Sequence, residues 1–149
     1  MNTKYTLLDV KNAYVAGILD GEGSVTIYSY TKNERSDYGG YIAITSTTLE
    51  LIKWLHKELG GNYCKKKKEK PSRKQGYRWN LYGQAAAVVL WRLYPYLIVK
   101  KEHVRIYHKF YRSITKWKNE KHGLDEETVL ERERLIKEMH ELNRGGNIE

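Results

Sequence analysis

Apolar residues recur at helical spacing from Asp9 to Leu19, and from Ser24 to Tyr30 they fall at every second position. This switch of period marks a helix running almost directly into a strand. Asp9 is the expected N-cap, with Gly21 and Gly23 past the helix end. In the strand Val25 and Ile27 face one way, and Ser24, Thr26, Tyr28 and Tyr30 the other. Residues 31–40 are polar and turn-forming, and Tyr41 to Ser46 alternates again with Ile42 and Ile44 inward, which predicts a long hairpin. Thr47 and Glu50 fit a capping box ahead of the stripe Leu49, Ile52, Leu55 and Leu59, which ends at Gly60-Gly61.

Two further strands, Tyr63 to Lys70 and Gly76 to Tyr82, flank a basic turn containing Pro71. Their expected core side carries Cys64, Tyr77, Trp79 and Leu81, and the opposite side Lys65, Lys67, Arg78 and Asn80. Gln84 to Leu93 reads as a helix stopped by Pro95. Lys101 to about Lys118 is another, with Val104, Tyr107, Tyr111 and Ile114 on one side. Asp125 is the expected cap of a final amphipathic helix through Leu135, Met139 and Leu142 to Gly145-Gly146.

The order α-β-β-α-β-β-α-α, whose α-β-β-α-β-β-α run forms the core, with one extra C-terminal helix, predicts an α+β fold in a single domain over 1–149. Its core covers about 5–118 and its helical extension about 124–144. Four antiparallel strands with helices on one face leave the other face free. A sheet face of this kind fits the major groove of DNA.

Charge sharpens that expectation. Residues 62–118 hold sixteen Lys/Arg against two acids, whereas 119–149 hold five against nine. A basic middle beside an acidic end is the footprint of a polyanion-binding face. The lysines do not lie opposite an apolar helical stripe, so nucleic acid is favoured over an anionic membrane. No apolar run approaches a membrane span and no signal peptide opens the chain, giving the expectation of a soluble, intracellular protein. The lone Cys64 excludes an internal disulfide, and no Cys/His group has zinc spacing.

Asp20 and Glu22 stand at the helix-to-strand break, where packing requires no acid. Each can be a solvated turn residue or a metal ligand. The flanking Gly21 and Gly23 let backbone or phosphate come close to Glu22. An EF-hand is excluded because Val25 stands where its loop requires glycine. A dinucleotide-binding loop is excluded because it would follow a strand and open a helix.

The nonapeptide Val15-Ala16-Gly17-Ile18-Leu19-Asp20-Gly21-Glu22-Gly23 resembles the signature of the LAGLIDADG homing endonucleases, with Val, Gly and Glu replacing the commonest Leu, Ala and Asp. Pro95-Tyr96-Leu97-Ile98-Val99-Lys100-Lys101 resembles the family's Pro-aromatic-Leu segment ahead of a lysine. The resemblance covers roughly 5–118. It implies that Glu22 binds the catalytic Mg²⁺, for which Ca²⁺ or Mn²⁺ can substitute, with Gly21 and Asp20 beside it. Asp20 chiefly supports the helix end. Lys100 is the implied active-site lysine, with Lys101 the alternative, and Ser46 the implied holder of an active-site water.

Only one such motif is present, so cutting two strands calls for two chains. Ala13, Ala16, Gly17 and Asp20 line one narrow helix face, which fits either a partner helix or this chain's own core. The expectation is a C₂ homodimer on double-stranded DNA at a pseudo-palindromic site, which the resemblance implies is long and cleaved to leave short 3′ overhangs. Base and phosphate contacts are expected from Ser24, Thr26, Tyr28, Tyr30, Lys32, Arg35, Tyr41, Thr45, Lys65, Lys67, Arg78 and Asn80. The alternative is a non-catalytic binder of the same fold, either an intron-RNA splicing maturase or a transcriptional regulator.

Overall fold

The first helix starts earlier and ends later than its apolar pattern predicts in the computed structural model, which describes residues 4–118 and 125–145 apart from the side chains of Arg35 and residues 115–118. Helix α1 spans Leu7–Glu22, and its N-cap is Thr6 rather than Asp9. The Thr6 hydroxyl accepts from the Asp9 amide at 3.1 Å, and the Asp9 carboxylate accepts from the Thr6 amide at 2.8 Å. This reciprocal pair satisfies amides that a helix start leaves open. Hydrogen bonds from the Thr6 hydroxyl and then the Tyr96 hydroxyl lower the Asp9 pKa to about 2.

Strand β1 (Gly23–Lys32) pairs along its whole length with residues 35–44 of strand β2 (Arg35–Ser46). The expected ten-residue loop is therefore a correction: only Asn33 and Glu34 turn the chain, with φ of 50° and 61°. Positive φ at both central residues is the turn whose twist matches a hairpin. Helix α2 (Leu49–Leu59) is capped at Thr48 without a side-chain bond, so the Thr47–Glu50 capping box is not formed. Instead Ser46 Oγ accepts from the Thr48 amide at 3.0 Å.

Strand β3 (Asn62–Lys65) is shorter than expected and β4 (Tyr77–Tyr82) completes an antiparallel sheet in the order β1-β2-β4-β3. Cys64 pairs with Arg78 and Lys65 with Tyr77. Cross-strand partners share a face, so Cys64 lies on the Arg78 side and Lys65 on the Tyr77 side, opposite to the sequence expectation. A shift of one residue inverts a whole strand, and this register is set by β4.

Helices α3 (Gly83–Leu93) and α4 (Lys101–Lys118) follow, separated by a 3₁₀ turn over Tyr94–Tyr96. Helix α5 (Glu126–Asn143) is capped by Asp125, whose side chain accepts from the Thr128 amide. It packs on α4 and on the edge strand β1. The buried Arg132 bonds to Ser113 Oγ at 3.0 Å and to the Ser113 carbonyl at 3.1 Å, with its guanidinium 4.8 Å from the Tyr38 ring centroid. Burial lowers its pKa, but a guanidinium stays charged.

Val25, Ile27, Ile42, Ile44, Trp79 and Leu81 point from one sheet face into a core shared with the helices. Trp79 is its largest fully buried side chain, and Nε1 donates to the Gly60 carbonyl at 2.8 Å. Trp79→Ala should therefore lower the unfolding free energy by about 3–5 kcal/mol, read from urea denaturation at fixed protein concentration.

Candidate active site

The C-terminal end of α1 meets the start of α4 through one carboxylate. Asp20 Oδ2 accepts from the Ile98 amide at 2.7 Å, while Oδ1 accepts from the amides of Val99 at 3.2 Å and Lys100 at 3.0 Å. These amides precede α4 and have no helical acceptor of their own. Both Asp20 oxygens are thus engaged, and the Lys100 backbone is fastened to the end of α1.

Glu22, the last residue of α1, is exposed and makes no hydrogen bond or ion pair among the described residues. Gly23 must be small, because a Cβ there would lie 2.4 Å from Leu19 Cδ1 and 2.9 Å from its backbone. At Gly21, by contrast, a Cβ would meet nothing within 4 Å. The glycines flanking Glu22 serve different ends: one lets β1 leave the helix tightly and the other leaves open space. Ser46 is half-buried on the helix side of the sheet, and its hydroxyl oxygen is engaged at the start of α2.

His103 is buried one turn into α4, and its Nδ1 has no partner among the described residues. Burial, and then the charge of Lys100, push its pKa down. A neutral imidazole beside the lysine escapes sequence reading, because only the three-residue step from Lys100 hints at it.

The small residues of α1 divide between two faces. Ala16 is fully buried in the core with Val15 and Leu19, which corrects its place on the expected interface. Ala13 and Gly17 face outward, and Asp20 lies between, bound to the turn before α4. The outward seam follows heptad spacing: Leu7, Val10, Tyr14, Gly17 and Gly21. Leu7 is 90% exposed, Val10 59% and Tyr14 55%.

The sheet's other face carries Ser24, Thr26, Tyr28, Tyr30 and Lys32 from β1, Tyr41 and Thr45 from β2, and Arg78 and Asn80 from β4. Arg35 pairs with Lys32, but its side chain lies outside the described residues. Lys65 is exposed at the end of β3, and Lys67 is exposed beyond it. Asn80 is nearly buried, and its Oδ1 accepts from Arg78 Nε at 2.8 Å. The Arg78 guanidinium also lies 5.3 Å from the Tyr41 ring centroid. Asn80 therefore aims Arg78 rather than presenting its own amide edge. Tyr82, Asp37, Gly39, Ala43, Asn62 and Cys64 share this face; the sequence reading missed Asp37 and Gly39 because turn-rich composition hid the second half of the hairpin.

No three His, Cys, Asp or Glu side chains cluster with metal-binding geometry among the described residues. One chain offers one unengaged carboxylate at this end, Glu22. That donor set fits Mg²⁺, which takes one or two carboxylates and completes its shell with water and phosphate oxygens.

Comparisons with known proteins place this geometry. No protein-family model matches the chain, and no curated protein matches it in sequence. Solved structures do match in fold. An archaeal intron-encoded homing endonuclease, I-Vdi141I, complexed with DNA, has a TM-score of 0.75 at 17% identity, covering 93% of this chain and 87% of that one. The homing endonuclease I-CvuI, in complex with a DNA target in the presence of magnesium, gives 0.74 at 16% identity, covering 95% and 87%. Coverage this complete takes in α5, which the sequence reading left outside the resemblance. The LAGLIDADG homing endonuclease I-SmaMI, bound to cleaved DNA, gives 0.69 at 17% identity over 96% of this chain and 47% of its own. With five helices and a four-stranded antiparallel sheet in the same arrangement, this chain has the fold of the LAGLIDADG homing endonucleases.

Proposed function

We propose that the chain is a divalent-metal-dependent, site-specific DNA endonuclease that acts as a homodimer. Its target is a long pseudo-palindromic duplex, cut to leave short 3′ overhangs. The observation that carries this reading is the exposed Glu22 at the end of α1, with Lys100 tethered to the same helix end by Asp20. Both adjoin a polar, basic sheet face of the kind that fits a groove.

Glu22, with the Gly21 carbonyl, would hold Mg²⁺. The ion supplies charge neutralisation on the scissile phosphate and an acidified water. Lys100, whose backbone is tethered to the same helix end, would stabilise negative charge developing on phosphate oxygens. The three bonds from Asp20 fix the backbone that presents this lysine, so less of its geometry must be found during reaction. Ser46 has a free hydroxyl proton with which to hold a water. Arg78, aimed by Asn80 and Tyr41, is the best-oriented guanine reader on the face. Thr26, Thr45 and Lys32 contribute further base or phosphate contacts, and Lys65 and Lys67 reach phosphate from the sheet edge.

One chain brings one Glu22, and two strands require two. The outward seam of α1 supports pairing about a two-fold axis, since exposed Leu7, Val10 and Tyr14 continue into open space at Gly17 and Gly21. The half-length match to I-SmaMI agrees with two such units making one enzyme. A nuclease of this kind works inside the cell, as the product of a mobile, intron-encoded element.

Three outcomes test this reading. With Mg²⁺, the protein should cut duplexes selected from a random library, and Glu22→Gln should lower the cutting rate by at least about 10³-fold while leaving binding intact. Normal cutting by that variant would remove Glu22 from the metal site; selective binding by the wild type without cutting would favour the non-catalytic alternative. Sedimentation at micromolar concentration should give the mass of two chains, and Gly17→Leu should give one. Asp20→Ala should cost about 1–3 kcal/mol of stability and speed hydrogen exchange at the amides of residues 98–100, while Asp20→Asn restores only part of the protection.

A further inference from the structure

The open sheet face carries a patch that hydrogen-bonding readout does not explain. Tyr30, Tyr28, Tyr41 and Tyr82 form a continuous row of rings across β1, β2 and β4, with successive centroids 5.9, 6.0 and 5.7 Å apart. Tyr28 lies opposite Gly39 in the ladder, and a Cβ at Gly39 would come within 2.6 Å of the Tyr28 ring and hydroxyl. The far end of that ring thus occupies the place where any side chain on β2 would stand. The Tyr30 hydroxyl donates to Asp37 Oδ2 at 2.8 Å, which engages the acid on this part of the face. Tyr30 and Tyr82 are 42% and 49% exposed and Tyr28 and Tyr41 are half-buried, so the row presents aromatic surface together with its phenol hydroxyls.

The apolar feature of a base pair in the major groove is the C5-methyl group of thymine. We propose that this row of tyrosines reads thymine, with Tyr28 and Tyr41 in contact with its methyl group. This rests on the DNA-binding reading above and adds a specificity that the basic residues alone would not produce. Stacking of single-stranded bases is the competing use of exposed rings. The rings are tilted 40°, 50° and 54° to their neighbours, so no adjacent pair in the row forms a parallel slot for a base. A tiled, shallow surface suits methyl groups projecting from a duplex.

The test replaces single thymines by uracil in a selected duplex and measures affinity under non-cleaving conditions. Loss of one buried methyl group should weaken binding about fourfold at one or two positions of each half-site. Tyr28→Ala or Tyr41→Ala should abolish the difference between thymine and uracil duplexes, and Gly39→Ala, which displaces the Tyr28 ring, should shrink it. Lys32→Ala should weaken both duplexes and keep the difference. Rings that only stiffen the sheet would leave the thymine preference in place in Tyr28→Ala and Tyr41→Ala, and that result overturns the proposal. So does selective binding that is indifferent to every uracil replacement, or a selected half-site without thymine. Absence of any site-selective duplex binding would instead remove the endonuclease reading itself.

Discussion

Three backbone amides converge on one carboxylate at Asp20, and the junction between the end of α1 and the turn before α4 depends on that convergence. A carboxylate accepting several amides is a strong, charge-assisted anchor. It joins the end of the first helix to the turn before the fourth, segments far apart in the chain that also meet where Tyr96 donates to Asp9. Glu22 follows two residues later on α1, and Lys100 is the residue whose amide is bound. Asp20 thus fixes the Lys100 backbone to the helix end that carries Glu22.

The sheet obeys a second constraint, a division of labour between its faces. Inward residues such as Ile27, Ile44 and Trp79 are fully or almost fully buried and make the core. Outward residues are held by one another: Arg78 by Asn80 and Tyr41, and Tyr30 by Asp37. Such a face is pre-ordered, so less side-chain entropy remains to be lost on binding. The C-terminal helix extends this ordering. Arg132 ties α5 to α4 and stacks under Tyr38 of the hairpin, and Asn143 Nδ2 donates to the Val25 carbonyl on β1 at 3.0 Å. Arg132 forms no carboxylate ion pair among the described residues, and a buried cation of that kind is a costly fastening.

Alternation was legible wherever burial is local, so Val25, Ile27, Ile42 and Ile44 were assigned to the correct side from sequence. Helices α4 and α5 were legible for the same reason, with Val104, Tyr107, Leu135 and Met139 all buried. The register of β3 was not, because all four of its residues are exposed and only the pairing with β4 decides the face. The Asn33–Glu34 turn was hidden among residues that look like a loop but pair as strands. Small residues were ambiguous for a different reason. Ala16 and Gly17 both permit close packing, and only the helix's orientation determines which meets the core and which meets solvent. Asp20 was assigned a supporting role, but its bond partners before α4 could not be read from its neighbours.

Helix α1 shows why so short a segment carries so much. Its inner side, Val15, Ala16 and Leu19, fills the core, and its outer side is thin at Gly17 and Gly21, where an added Cβ would meet nothing within 4 Å. Its last turn must supply one acid inward to the chain and one outward. These demands fall on adjacent residues with no spare position, which explains the glycines in a helix interior despite their conformational cost. The core partly compensates by fixing α1 through Lys11 on Glu58 of α2 at 2.7 Å and Tyr96 on Asp9. A helix weakened by glycine can then hold Glu22 steadily, because its direction is set from outside rather than by its own propensity.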